Sequence, residues 1–220
     1  PTHALAAPPQ PSYYRNVRPE IVERVPAGAE MVLDVGCGAG SLGAHLIATQ
    51  HARHVVGIEV VPSAAQEAAS HLDTVVLANL NITSVDEALA RFDKPSFDCI
   101  VCADVLEHLV EPWDALSALK AYLKPGGILI VSVPNVRHWS VWGPLLVRGR
   151  WDYRDSGIMD RTHLRFFTPR TAQAMCAGAG LDVVSEHALV GGKWRYISAA
   201  SFGLLRPLLA VQWVFECRKP

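Results

Sequence analysis

Short apolar runs rich in β-branched residues alternate along the chain with segments of helical spacing. This is the pattern of a parallel sheet covered by helices on both faces. The spacing predicts strands at Met31–Val35, His54–Ile58, Thr74–Leu77, Phe97–Cys102 and Ile128–Val133. Helical patterns lie between them at Pro62–Leu72 and Pro112–Leu123, the second with Trp113, Leu116, Leu119 and Leu123 at helical spacing. Pro125-Gly126-Gly127 is expected to stop that helix and turn the chain. From Pro134 to Phe167 the alternation gives way to what reads as an irregular insertion holding three of the six tryptophans. Order resumes at Thr168-Pro169, an N-cap followed by proline at the first helical position, and runs to Gly180. Strands Leu181–His187 and Val211–Glu216 would complete the sheet. The expectation is one α/β domain over residues 1–220, with a loose arm at 1–12 and the insertion at 134–167 as the acceptor-binding part.

Composition narrows the classes. Lys plus Arg is 20 against 21 for Asp plus Glu, so no global basic field draws the protein to nucleic acid. The five cysteines, at 37, 99, 102, 176 and 217, read as small buried hydrophobes of a reducing compartment, so the cytoplasm is expected. The first twelve residues lack the features of a secretory signal. The run Phe202–Phe215 is broken by Arg206, Pro207 and Gln212 and falls short of the ~20 apolar residues of a membrane span. No metal is expected: Cys99 and Cys102 lie three apart in a predicted strand and face opposite sides, while His51 and His54 have no neighbouring acid or thiol pair.

The chemistry concentrates at Asp34-Val35-Gly36-Cys37-Gly38-Ala39-Gly40, a glycine cluster between a buried strand and a helix. Such a turn lets the backbone approach a ligand and aims a helix N-terminus at it, which implies a nucleotide-like cofactor. Glu59 ends the second strand nineteen residues after Gly40, where a carboxylate can accept from both ribose hydroxyls. A dinucleotide site competes, because Gly38-Ala39-Gly40-Ser41-Leu42-Gly43 also satisfies G-x-G-x-x-G. Asp34 tilts the choice: a carboxylate there suits a cationic amino-acid moiety and repels a pyrophosphate.

With Gly57-Ile58-Glu59, Phe97 through Leu109 (FDCIVCADVLEHL) and Leu123-Lys124-Pro125-Gly126-Gly127, the chain resembles the class I S-adenosylmethionine-dependent methyltransferases. Within them it is similar to the subgroup of ubiquinone-biosynthesis O-methyltransferases and small-molecule methylases. The resemblance implies a Rossmann-like, seven-stranded, mostly parallel sheet ending in an antiparallel hairpin, and S-adenosylmethionine as cofactor. It places Gly36, Cys37 and Gly38 against the methionine portion, Glu59 with Val60 at the ribose, and Asn79 with Leu80 at the adenine edge, where Asn79 replaces the commoner Asp. Ala103, Asp104 and Leu106 would lie beside the reactive methyl, although Leu106 also suits plain packing. Tyr14 and Arg18 resemble a segment folding over the cofactor, with Arg18 pairing to its carboxylate.

A sulfonium is an activated donor, so the enzyme must align an acceptor and, for a hydroxyl, remove its proton. His108, a few residues beyond the fourth strand, is the leading base; its alternative is a helix-start residue bonded to backbone. Asp160-Arg161-Thr162-His163-Leu164-Arg165-Phe166-Phe167 resembles a segment of bacterial relatives and makes His163 the second base, oriented by Asp160. The competing role is a clasp locking the insertion to the sheet. Trp139, Trp142, Trp151 and Tyr153 offer an apolar wall for an aromatic acceptor. Seven Arg against three Asp from Arg137 to Arg170 give a local charge of +4 that suits an anionic one. Asp104-Val105-Leu106-Glu107 stands where DNA-base methylases carry Asn-Pro-Pro-Tyr, which argues against that substrate. Three functions result: a small-molecule O-methyltransferase with N- or C-methylation open, a nicotinamide-dependent reductase, and a non-catalytic cofactor-binding partner of another enzyme.

Overall fold

The computed structural model describes residues 17–220. Its strands are β1 (Ala29–Val35), β2 (Ala52–Glu59), β3 (Thr74–Leu77), β4 (Phe97–Ala103), β5 (Leu123–Pro134), β6 (Asp182–Leu189) and β7 (Gln212–Arg218). Among the described residues they form one sheet in the order β3-β2-β1-β4-β5-β7-β6. The first five are parallel, and β7 enters antiparallel between β5 and β6. This is the expected Rossmann-like architecture with its terminal antiparallel hairpin.

Period-two alternation sorts each central strand into two cores. Leu33, Val35, Ile100, Cys102, Leu129 and Val131 pack on one face with Phe97 and Phe215; Val32, Cys99, Val101 and Ile130 pack on the other with Leu46 and Val55. Cys99 and Cys102 therefore sit on opposite faces, both fully buried, as the strand period requires. The short α1 (Pro19–Val22) precedes β1, and the helices between strands include α2 (Ser41–Ala48), α3 (Pro62–Ala68), α4 (Val85–Ala88) and α5 (Pro112–Tyr122). Further on, α7 (Pro169–Gly178) starts from the expected Thr168 N-cap, whose side chain accepts from Thr171 N–H.

Four readings need correction. Strand β5 begins at Leu123, so Pro125-Gly126-Gly127 does not form a turn after the helix but an irregularity inside the strand; Gly126 N–H donates to Lys219 O and Lys219 N–H to Gly127 O. The insertion is not irregular throughout, because α6 (Trp139–Arg148) lies within it, capped by the His138 side chain, which accepts from Ser140 N–H. Its apolar residues face both inward and outward, so no polar face betrayed the 3.6 period. The short α9 (Arg206–Leu209) lies within the apolar run Phe202–Phe215, and α8 (Trp194–Ala200) precedes that run. His54 does find an acid: folding carries Asp73 to 2.9 Å from its Nδ1.

Reversal of winding direction between β1 and β4 opens the sheet at its carboxyl edge, the place where such folds bind ligands. Close packing of α2 against β2 sets the angle at which that edge is reached. A Cβ on Gly43 would stand 2.4 Å from Leu72 Cδ2 and 2.8 Å from Val55 Cγ1. Helix propensity favours alanine there by about 1 kcal/mol, but overpacking costs about 1–3 kcal/mol, and contacts this short let crowding win. Gly43→Ala is therefore expected to lower stability by about 1 kcal/mol or more in denaturant titration; a stabilised variant would contradict this packing.

Candidate active site

The glycine turn leaves β1 with Gly36 and Gly38 at φ +74° and +55°, conformations that L side chains rarely adopt. Gly36 and Cys37 N–H both donate to Ile58 O, which pins the turn to β2. A Cβ on Gly36 would stand 2.5 Å from Val105 Cγ2, so the loop after β4 closes directly over the bare backbone. Glu59 is 5% exposed, and its carboxylate ties the turn together. Oε2 accepts from Gly38 N–H at 2.8 Å, and Oε1 accepts from Val60 and Val61 N–H at 2.9 and 2.8 Å. Cys37 contributes backbone; its thiol is buried beneath the turn, and burial pushes it far above its usual range.

Asp34 is 3% exposed and has no hydrogen-bond partner among the described residues. Burial, reinforced by the Glu59 charge, raises its pKa from 3.8 to about 7. Two buried acids beside a glycine turn fit a donor with a cationic amino-acid end and ribose hydroxyls, and they oppose a pyrophosphate. Because β1 to β4 are parallel, the carboxyl edge also collects Val60, Asn79, Leu80, Ala103 and Asp104. Asn79 Oδ1 accepts from Asn81 N–H, shaping the loop after β3. Leu106 is fully buried in the core cluster, so the packing alternative holds in place of a position at the methyl.

Arg18 also departs from expectation. Its Nη1 donates to Asp104 Oδ2 at 2.7 Å, its Nε to Glu20 Oε1 at 2.7 Å and its Nη2 to Ser132 Oγ at 3.0 Å, so protein groups engage the whole fork. Arg18 is thereby a brace for Asp104, which Gln212 Nε2 also holds and which has φ +58°. Tyr14, with Tyr13 and Arg15, lies outside the described residues.

Both candidate bases converge. His108 ends a 3₁₀ turn at Leu106–His108, and His163 arrives from the insertion; their rings meet edge to face at 4.8 Å. His108 Nδ1 lies 3.2 Å from Thr162 O and His163 Nδ1 lies 3.0 Å from Ile158 O. A carbonyl only accepts, so in each ring Nδ1 carries the proton and Nε2 keeps its lone pair. Burial lowers both imidazole pKa values, and at His108 the neighbouring His163 adds to the effect. Asp160 does not orient His163. Its Oδ1 accepts from Thr162 N–H and Oγ in a tight turn, because the segment is not helical.

Glu107 is the residue that sequence reasoning missed. It is 1% exposed, neither carboxylate oxygen has a hydrogen-bond partner among the described residues, and Oε1 lies 4.0 Å from His163 Nε2. Burial, aided by the Asp104 charge, raises its pKa well above the ordinary carboxylate value, which opposes an ion pair with His163. Donor atoms of Glu107, His108 and His163 lie within 4.8 Å of one another, a set that can hold a cation. Glu107 and His108 adjoin in sequence, but His163 is remote, and only the fold unites them. The clasp role holds as well. Leu164 and Arg165 N–H donate to Glu107 O, and Arg165 reaches Val110 O and Glu111.

Besides this cluster, the insertion contributes to an open cleft of about 520 Å³ lined by Val136, Arg137, Val141, Trp142, Leu145, Trp151 and Leu208. Phe166 bridges the two, 5.5 Å from Trp151 and 6.3 Å from His163 between ring centres. Arg150, Arg161 and Arg165 pair with Asp152, Asp155 and Glu111, which reduces the local positive field; Arg137 at the cleft has no carboxylate partner among the described residues.

These features define an α/β protein built to hold a nucleoside donor at a topological switch point. A family model for a methyltransferase domain matches residues 10–186. A ubiquinone biosynthesis O-methyltransferase of Xylella fastidiosa is 37% identical over 185 residues, covering 80% of this chain and 70% of the relative. A SAM-dependent methyltransferase structure from Archaeoglobus fulgidus superposes with a TM-score of 0.64 at 17% identity, covering 94% of this chain and 97% of the other. A possible histamine N-methyltransferase from Thermotoga maritima gives 0.61 at 16%, covering 91% and 86%. The chain belongs to the methyltransferase-domain family. It is a methyltransferase whose methyl donor is S-adenosylmethionine, which removes the nicotinamide and non-catalytic readings.

Asp34 yields a test of the site's electrostatics. Its folded pKa lies above its unfolded value, so its stabilising contribution is present below about pH 4 and lost as pH rises through 7. Asp34→Asn should therefore gain on the order of 4 kcal/mol relative to wild type between acid and mildly alkaline pH, while its donor affinity falls. Denaturant unfolding across that range measures the gain; a pH-independent difference would show that Asp34 is not held protonated.

Proposed function

We propose that this methyltransferase acts on a hydroxyl of a small, largely apolar and ring-bearing acceptor, quinone-like in character. The observation that carries the reading is a pair of imidazoles whose Nδ1 atoms face backbone carbonyls, linked through Phe166 to Trp151 in the wall of an aromatic cleft. In this reading the acceptor ring lies against Trp142 and Trp151, and the unpartnered Arg137 takes an anionic substituent. His108, the more accessible of the two rings, accepts the hydroxyl proton at Nε2, while buried His163 and Glu107 support it from behind. The name carried by the Xylella relative, a ubiquinone O-methyltransferase, supports the same choice.

S-adenosylmethionine supplies a methyl already activated on sulfur, so the chain's task is to bind, orient and deprotonate. Gly36, Cys37 and Gly38 would lie along its methionine portion, with Asp34 toward the cationic end. Glu59 Oε2, which takes one N–H where Oε1 takes two, keeps a lone pair for a ribose hydroxyl. Val60, Asn79 and Leu80 would edge the adenine, and Ala103 with Asp104 would stand nearest the methyl. Five unpaired, buried cysteines support a reducing compartment, the cytoplasm.

Labelled-methyl transfer to catechol-type acceptors tests the reading. His108→Ala should depress turnover by about 10²–10⁴-fold while S-adenosylhomocysteine affinity survives; an unchanged rate would remove the base. A second reading is favoured by the orphaned oxygens of Glu107: a divalent cation held by Glu107, His108 and His163. Dialysis against Zn²⁺ followed by metal analysis should then give one equivalent in wild type and none in Glu107→Gln. Absence of bound metal in wild type would leave proton transfer to the histidines alone.

A further inference from the structure

The helix α6 has an unusual surface. Val141 faces inward, yet the outer side of the same helix carries Trp142, Leu145, Leu146 and Val147, with Leu146 74% and Val147 81% exposed. A helix apolar all round belongs in a protein core or against lipid. The apolar surface continues across neighbouring elements. Trp139 of α6 meets Trp194 of α8 at 5.2 Å between ring centres, and Leu208 of α9 lines the same cleft as Trp142 and Leu145. The turn between α8 and α9 presents Phe202 at 96% and Leu204 at 82% exposure, and Tyr196 on α8 is exposed as well. Isolated exposed hydrophobes are ordinary, but a contiguous patch marks an interaction surface.

Charge identifies the partner. No acidic residue occurs between Asp114 and Asp152 or between Glu186 and Glu216, the stretches that build this cap. Into them fall Arg137, Arg148, Arg150, Lys193, Arg195 and Arg206, of which Arg150 pairs with a carboxylate among the described residues, Asp152. Lys193 lies over the Trp194 ring and Arg195 over the Tyr196 ring, at 5.5 and 4.7 Å. Aromatic rings with basic side chains at the edge of an apolar face suit the headgroup region of a bilayer, where rings sit at the interface and cations meet lipid phosphates. A symmetric dimer through this face would bring like charges together with no acids to answer them. Among the described residues no helix is long and apolar enough to cross a membrane.

We propose that the cap formed by α6, α8, α9 and the Phe202–Leu205 turn docks peripherally on an anionic lipid surface. The docking is independent of which acceptor is methylated. Its consequence for the site is that the cleft, walled by Trp142, Leu145 and Leu208, opens beside the lipid-facing residues.

Vesicle co-sedimentation of the full chain tests it, with phosphatidylcholine vesicles containing or lacking phosphatidylglycerol. Wild type should sediment with the anionic vesicles, far less with neutral ones, and progressively less as salt is raised. Leu146→Ser with Val147→Ser should weaken partitioning about tenfold, and Lys193→Gln with Arg195→Gln about fivefold per charge. All four side chains lie outside the donor and acceptor sites, so S-adenosylhomocysteine affinity should not change and serves as the folding control. Equal sedimentation with neutral and anionic vesicles, or variants that bind like wild type, would overturn the proposal. So would a concentration-dependent dimer that the Leu146 and Val147 substitutions dissolve, which would assign the face to a second copy.

Discussion

The Glu59 carboxylate is the interaction on which the donor half of the molecule depends. Three backbone N–H groups converge on it, one from the glycine turn after β1 and two from the chain leaving β2. Hydrogen bonds to a charged acceptor are roughly twice as strong as neutral ones, and here they join adjacent parallel strands at the edge where ligands bind. The carboxylate thus fixes the shape of the turn. The neighbouring Asp34 is the opposite case: buried with no hydrogen-bond partner among the described residues, it has its pKa raised to about 7 by the same low-dielectric surroundings.

The acceptor half is organised by a different device. The Asp160–Phe167 segment is bonded through its backbone to Glu107 and through Arg165 to Val110, so the insertion delivers His163 to a position set by β4 and the turn after it. The contacts of a structural clasp are present, and the same segment carries the imidazole that the proposed chemistry would use. On the other side of β4, Arg18 and Gln212 brace Asp104 from opposite ends of the described chain, which holds a non-glycine residue at positive φ beside the site.

Legibility in the sequence followed the locality of the signal. Strand alternation and the glycine turn are local, and β1 to β4 with the donor edge stood where the pattern placed them. The hairpin order came with the family resemblance. What escaped was non-local or masked. Asp160 sat at a helical spacing from His163, but the backbone there turns instead, and Ile158 O took the imidazole N–H. Arg18 was free in sequence but paired in space. Glu107 read as one acid in a motif until burial left its oxygens without partners. Helix α6 was hidden because periodicity needs a polar face to contrast with, and this helix has none until Arg148.

The two halves of the site also differ in how freely they can change. Donor-side residues are strand ends and turn glycines wedged against Val105, Val55 and Leu72, where an added methyl group meets core atoms. The wall proposed for the acceptor is drawn from α6, Trp151 and α9, with Trp142, Leu145 and Trp151 partly exposed. Over evolutionary time such a protein can exchange its cap and acquire a new substrate while the chemistry of the donor pocket is inherited intact, so divergence between homologues should accumulate in residues 134–167 and 190–211.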